Sequence, residues 1–181
     1  MAIGIITSRM TAESDPKKSK FFGDPLVPAE WATTDWGEQI FFCQIDLADI
    51  AASDVDRRLP HNGWLYVFLD TATYPYIPVV RYYDGDPNTV LDGFNDFDDD
   101  FEALTEPREM TFEHVPDDMD GTRLFGVPSD WNYAEEPPAL FMQFDPMSDD
   151  SGFMDDVDGY VYLFYGKDGA TDSIYMHVER S

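Results

Sequence analysis

Aspartate and glutamate are the abundant reactive groups of this chain, 37 of its 181 residues, against 3 histidines and 1 cysteine. Two carboxyls can hydrolyse a glycosidic bond when they stand ~5 Å or ~6.5–9.5 Å apart and one has a raised pKa. Grouped carboxylates can instead hold a hard cation through oxygen. DDDFE (98–102), PDDMDG (116–121) and SDDSGFMDDVDG (148–159) have the composition of calcium loops but not the spacing. Counting back from Gly121 or Gly159 puts Pro116 or Met154 where an EF-hand begins with Asp. With so many carboxylates no pair is singled out, so no catalytic residue is assigned and no metal or cofactor is expected.

The other reactive side chains read as structural. His61, His114 and His177 lie far apart in the sequence, and each is taken as a hydrogen-bonded structural residue. Cys43 sits in the apolar run FFCQI with no basic neighbour to stabilise a thiolate, and a lone cysteine cannot close an intramolecular disulfide. The chain carries no phosphate loop, dinucleotide fingerprint, Gly-x-Ser-x-Gly elbow or His-Glu-x-x-His motif.

One pair of polar residues recurs at matched positions. FFCQIDL (41–47) and LFMQFDP (140–146) both set Gln and Asp two apart in an apolar strand. Around them the chain repeats a longer order. SKFFGDP, Trp31, FFCQID and GWLYVFLD come first, then TRLFGVP, Trp131, LFMQFD and GYVYLFYG. Period-2 geometry puts Phe41, Cys43, Ile45 and Leu47 on one face and Phe42, Gln44 and Asp46 on the other. The second copy divides into Leu140, Met142 and Phe144 against Phe141, Gln143 and Asp145. Two readings follow. Either the Gln satisfies a neighbouring turn and the Asp caps the next connection, or Gln44, Asp46, Gln143 and Asp145 line a ligand cleft at the seam between the copies.

The elements that must position these residues are mostly strands, expected near 40–46, 63–70, 77–83, 110–115, 139–145, 159–165 and 173–179. Residues 46–58 can form a helical turn or two. A short acidic helix over 94–106 would carry Phe94, Phe97, Phe101 and Leu104 on one stripe, and 128–139 is a proline-rich loop. The expected fold class is α+β: predominantly antiparallel β, built from two related β-rich halves with few short helices. It forms a single compact domain over 1–181, with one half near 19–85, the other near 120–181, and an acidic connection at 86–119.

The net charge of −26 opposes binding to nucleic acid or anionic membranes, which depends on cationic side chains. No apolar run approaches a membrane span, and MAIGIITSRMTAESD lacks the basic start of a secretory signal, so a soluble cytoplasmic protein is expected. From Asp84 to Asp120 the acids face Arg108 alone. Such a surface reflects an acid-biased host, serves solubility, or steers a basic protein partner. The third reading places the partner on Asp96, Asp98 and Asp99, with Trp131, Tyr133, Tyr82 and Tyr83 as aromatic anchors. Its alternative is a small-molecule- or metal-binding enzyme at the seam.

SKFFGDPLVP, FFCQIDL and GWLYVFLD, followed by RLFGVP, LFMQFDPMSDD and DGYVYLFYG, resemble the two halves of the YwqG-like family, bacterial domains of unknown function. The resemblance spans about residues 19–178. It implies a β-rich α+β fold of two related halves and no established catalytic activity. The chain departs from the family pattern at Phe22, where a glycine would stand, and at Arg123, where the second half often has histidine. The second departure weakens any case for base chemistry at that turn.

Overall fold

Short aromatic and β-branched segments punctuated by Gly, Pro and Asp fold as strands because their side chains suit a pleated, half-buried surface. The computed structural model describes residues 1–11, 13–96, 103–133, 135–147 and 152–179. Its strands are β1 (Ala2–Arg9), β2 (Lys20–Phe21), β3 (Leu26–Val27), β4 (Gln39–Asp46), β5 (Trp64–Asp70), β6 (Ile77–Tyr83), β7 (Thr89–Val90), β8 (Arg108–Val115), β9 (Arg123–Leu124), β10 (Leu140–Phe144), β11 (Val161–Phe164) and β12 (Tyr175–Val178). Ten of them form one antiparallel sheet in the order β12-β11-β10-β9-β1-β8-β2-β4-β5-β6, and β3 pairs with β7. Edge strands β6 and β12 come into contact, so the large sheet nearly closes on itself. Closure removes the exposed edges that invite aggregation.

The strand order mirrors itself about the central β1–β8 pair. β2, β4, β5 and β6 extend one way as an N-terminal wing; β9, β10, β11 and β12 extend the other way as a C-terminal wing. Each central strand pairs with the first strand of the opposite wing, β1 with β9 and β8 with β2. β1, which the sequence reading left without an element, pairs with β8 from Ala2↔Val115 to Arg9↔Arg108. The acidic segment 86–119 is therefore more than a connection, because it supplies β8 at mid-sheet.

The strict alternation expected in the two Gln-x-Asp strands is corrected by a bulge in each. β4 shifts register on β5 between Phe41 and Cys43, and β10 shifts on β11 between Leu140 and Met142. The extra residue transposes the faces on one side of the bulge. Phe42 and Phe141 turn into the interior beside Cys43 and Met142, while Phe41 and Leu140 join aromatic clusters outside it. Inside, Phe21, Phe22, Phe42, Phe144 and Phe153 form one cluster, with Phe21 and Phe42 rings 5.1 Å apart and Phe21 and Phe144 5.5 Å apart.

Helix is scarce among the described residues: α1 (Leu47–Ile50) and short 3-10 turns at Ala29–Trp31, 103–105 and Thr171–Ser173. The helix expected over 46–58 stops early because the buried carboxylate of Asp54 takes the Arg58 and Leu59 amides at 3.1 and 3.0 Å, which fixes a turn. Residues 97–102 of the acidic helix expected over 94–106, Phe97 and Phe101 included, lie outside the described residues. Its described members do not share a stripe: Phe94 packs on Trp36 and Phe68 outside the sheet, whereas Leu104 is buried in the interior.

Candidate functional site

The twice-written Gln-x-Asp builds two matching turns. Gln44 is fully buried; its Oε1 accepts from the Leu26 amide at 2.9 Å, and its Nε2 donates to the Pro16 and Lys18 carbonyls at 2.9 and 3.0 Å. Gln143, equally buried, accepts from the Ser129 amide at 2.8 Å and donates to the Gly121 carbonyl at 2.9 Å. Two residues on, Asp46 Oδ1 accepts from Ala48 N at 2.9 Å, and Asp145 Oδ1 from Met147 N at 3.0 Å. Both aspartates also donate their backbone N–H to a hydroxyl, Ser19 Oγ and Thr122 Oγ1. The two sets share none of these hydrogen-bond partners, so Gln44 and Asp46 belong to one turn and Gln143 and Asp145 to another.

Opposite each glutamine stands a buried cation, Lys20 facing Gln44 and Arg123 facing Gln143. Lys20 Nζ donates to the Asp24 carbonyl at 2.7 Å, and Arg123 reaches the carbonyl of Val127 with the same stride. Burial pulls the Lys20 pKa down to about 8, against the charge of Asp24, which raises it. Arg123 thus has a structural use in its turn. Each turn bends through two successive left-handed residues, Phe22 and Gly23 at φ 59° and 69°, Phe125 and Gly126 at φ 64° and 87°. Only glycine fits the second position. A Cβ there would meet Pro107 Cβ at 2.8 Å or the Asp117 carbonyl oxygen at 2.4 Å.

Cys43 and His61 are held by burial and by a polar contact, respectively. Burial pushes the Cys43 thiol pKa up, so it stays protonated. His61 Nε2 lies 3.3 Å from Asp54 Oδ2, and His114 is exposed on β8. Burial raises the Asp54 pKa, but the Leu59 and Arg58 amides, His61 and the Arg58 charge outweigh it and hold the carboxyl below its usual value. Among the described residues no three His, Cys, Asp or Glu are grouped to hold a metal ion, and no helix is long and apolar enough to cross a membrane.

The residues expected to bind a partner divide between the wings. Asp96 is exposed and follows Asn95, whose buried amide clamps Phe41 of β4 through both its N–H and its carbonyl at 2.8 Å. Asp98 and Asp99 lie outside the described residues. Tyr82 is 44% exposed on β6, beside half-buried Tyr83. Trp131 and Tyr133 belong to the C-terminal wing, where with His177, Glu135, Glu136 and Pro138 they line a cavity of about 500 Å³.

Three rings shape that cavity. Trp131 and Tyr133 are tilted at 52° with centroids 4.6 Å apart, and His177 lies 5.7 Å from Trp131 and 5.6 Å from Tyr133. The walls are fastened: Trp131 Nε1 donates to the Glu135 carbonyl at 3.0 Å, and the Tyr133 hydroxyl lies in hydrogen-bond contact with His177 Nε2 at 3.2 Å. Behind Trp131 stand Tyr162 and Phe164, both met edge-on. Glu135 and Glu136 are exposed at the rim, and no cation pairs with either carboxylate among the described residues. Electron-rich ring faces beside unpaired carboxylates form a site suited to a cation. Sequence reasoning named Trp131 and Tyr133 but missed Glu135, Glu136 and His177. The Glu-Glu step within 128–139 was the available signal; the approach of His177 depends on the β11–β12 register. No family model matches this chain, and no similar protein is found among curated sequences.

Proposed function

We propose that this chain is a non-enzymatic interaction protein, a cytoplasmic acidic module that binds a basic protein partner in an immunity-like or sequestering role. The aromatic cavity with its carboxylate rim, on a chain of net charge −26, carries this reading. Aromatic anchors supply much of the affinity of protein interfaces, while complementary charge sets specificity and rate of encounter. The acidity also disfavours nucleic acid as the partner. The two wings are read as an internal duplication within a YwqG-like α+β fold. The mirrored strand order and the matched turns of Gln44 and Gln143 support that descent.

The test is capture from native lysate at about 150 mM and about 500 mM salt, where exposed charge pairs are screened. Parallel captures use Glu135→Lys with Glu136→Lys, and Asp96→Lys with Asp98→Lys and Asp99→Lys. A basic protein held at low salt, weakened at high salt and lost with either variant sustains the role. Retention that ignores salt and both charge reversals overturns it.

A further inference from the structure

The N-terminal wing contains a counterpart of the aromatic cavity, and that counterpart is filled. Arg81 on β6 pairs in register with Tyr66 of β5. Its guanidinium carbon stands 4.6 Å from the Trp36 ring centroid, 5.3 Å from Trp31 and 5.9 Å from Phe68. Trp31 in turn meets Tyr66 edge-on at 5.2 Å and 66°. No carboxylate pairs with Arg81 among the described residues, and burial alone lowers its pKa. Ring faces therefore hold this cation.

In the C-terminal wing the same register sets His177 of β12 against Tyr162 of β11. Trp131 meets Tyr162 edge-on at 6.2 Å and 77°, as Trp31 meets Tyr66, and Phe164 stands two residues from Tyr162 as Phe68 does from Tyr66. Trp31, Tyr66 and Phe68 thus have counterparts in Trp131, Tyr162 and Phe164, whereas Trp36, the ring nearest Arg81, has no matching tryptophan; the occupant also differs. The His177 ring stacks on Tyr162 at 24° and is held at its Nε2 by the Tyr133 hydroxyl. The ring also meets Trp131, tilted at 57° with centroids 5.7 Å apart, but brings no guanidinium to it. The space beside Trp131 is the cavity of about 500 Å³, with Glu135 and Glu136 at its rim.

We propose that this cavity is a seat for the guanidinium group of an arginine side chain presented by the basic partner. The inference rests on the interaction reading above and adds the chemistry of the residue recognised. A planar guanidinium stacks on an indole face and donates in a fork to carboxylate oxygens, which a compact, strongly hydrated ammonium does less well. The N-terminal wing supplies its own arginine to the matching platform, and the C-terminal wing leaves the place to another chain.

The indole N–H signal of Trp131, assigned by NMR, reports the seat. The full chain is titrated with a short blocked peptide bearing one arginine, then with its lysine and citrulline counterparts and with free arginine. The arginine peptide is expected to shift the signal saturably and about tenfold more tightly than the lysine peptide, and the neutral citrulline peptide is expected not to bind. Glu135→Gln with Glu136→Gln, both exposed and safe for folding, weakens binding about tenfold. His177→Arg supplies the missing occupant and abolishes binding while the fold persists. Binding of free arginine as tight as the peptide assigns the seat to the small molecule and overturns the partner-side-chain assignment. Citrulline binding equal to arginine, or glutamine variants that bind like the parent, overturns the seat itself. The two readings can fail separately. A basic protein captured unchanged by the Glu135→Gln, Glu136→Gln chain removes the seat and keeps the partner. Arginine-peptide binding with no basic protein captured keeps the guanidinium site and removes the partner role.

Discussion

Phe42 on β4 and Phe144 on β10 meet edge-to-face at 5.3 Å and 80°, although four strands separate them along the sheet. The contact is possible only because the sheet curls until its two wings share one interior. Deleting either ring should open a cavity and cost about 3–5 kcal/mol, since a packed core relaxes only partly around a lost ring. Substitution by leucine is gentler and permits a double-mutant cycle. Phe42→Leu and Phe144→Leu are expected to couple by about 1 kcal/mol in denaturant melts. Strictly additive effects would show that the wings do not pack together.

The paired turns make a second prediction about rank. Gln44→Ala and Gln143→Ala each leave a buried amide N–H and a carbonyl without a partner, so each should cost about 2–4 kcal/mol. Asp46→Ala and Asp145→Ala remove caps at partly buried sites and should cost about 1 kcal/mol. Urea midpoints of the four variants give the order directly. Aspartate effects larger than the glutamine effects would mean that the carboxylates have a role beyond capping.

Lys20 gives the stability a characteristic pH dependence. Its folded pKa, about 8, lies below the ordinary lysine value of 10.5. Between these two pH values the unfolded chain therefore binds more protons than the folded one. Stability must then rise with pH across the window, by up to about 3 kcal/mol, as the buried ammonium loses its charge. Below about pH 8 the ammonium is charged in both states, and burying it costs the fold. Chemical denaturation at pH 7.5 and pH 9.5 should show a more positive change in the parent than in Lys20→Met; the buried Cys43 thiol, which ionises only in the unfolded chain, lowers stability in both over this window, so the difference between the two reads Lys20. Asp54 gives the same slope in a more acidic window: its folded pKa is also lowered, so its carboxylate stabilises at neutral pH and that contribution fades as the pH drops below the usual aspartate range.

These residues also show what could be read before folding. β4, β5 and β6 were legible because each is a short aromatic or β-branched run between turn formers, and β6 runs from Ile77 to Tyr83 as expected. β1 was not. Its Gly4 and its polar end Thr7-Ser8-Arg9 give no alternation, and its strand identity comes from partners a hundred residues away in β8 and β9. The bulges beside Phe41 and Leu140 were also hidden, since a one-residue shift exists only between two strands. The same holds for the candidate site. Trp131, Tyr133 and the Glu135-Glu136 step are local and visible, but His177 reaches them only through the β10–β11–β12 register.

Arg81 offers the final prediction, because it is both a structural cation and the template for the open seat. Its guanidinium covers Trp31 and Trp36, so Arg81→Ala loses the cation–π contact and the packing of the aliphatic stem, about 1–2 kcal/mol together. Arg81→Lys keeps a charge and a stem but not the planar stack, and should fall between the two. If ring faces alone hold the cation, the vacated platform should accept a small guanidinium from solution. Millimolar methylguanidinium is therefore expected to raise the melting temperature of Arg81→Ala relative to the parent, while millimolar methylammonium does so less. Equal responses in parent and variant would show that the aromatic platform has no preference for the group that now covers it, and the analogy between Arg81 and the seat beside Trp131 would lose its footing.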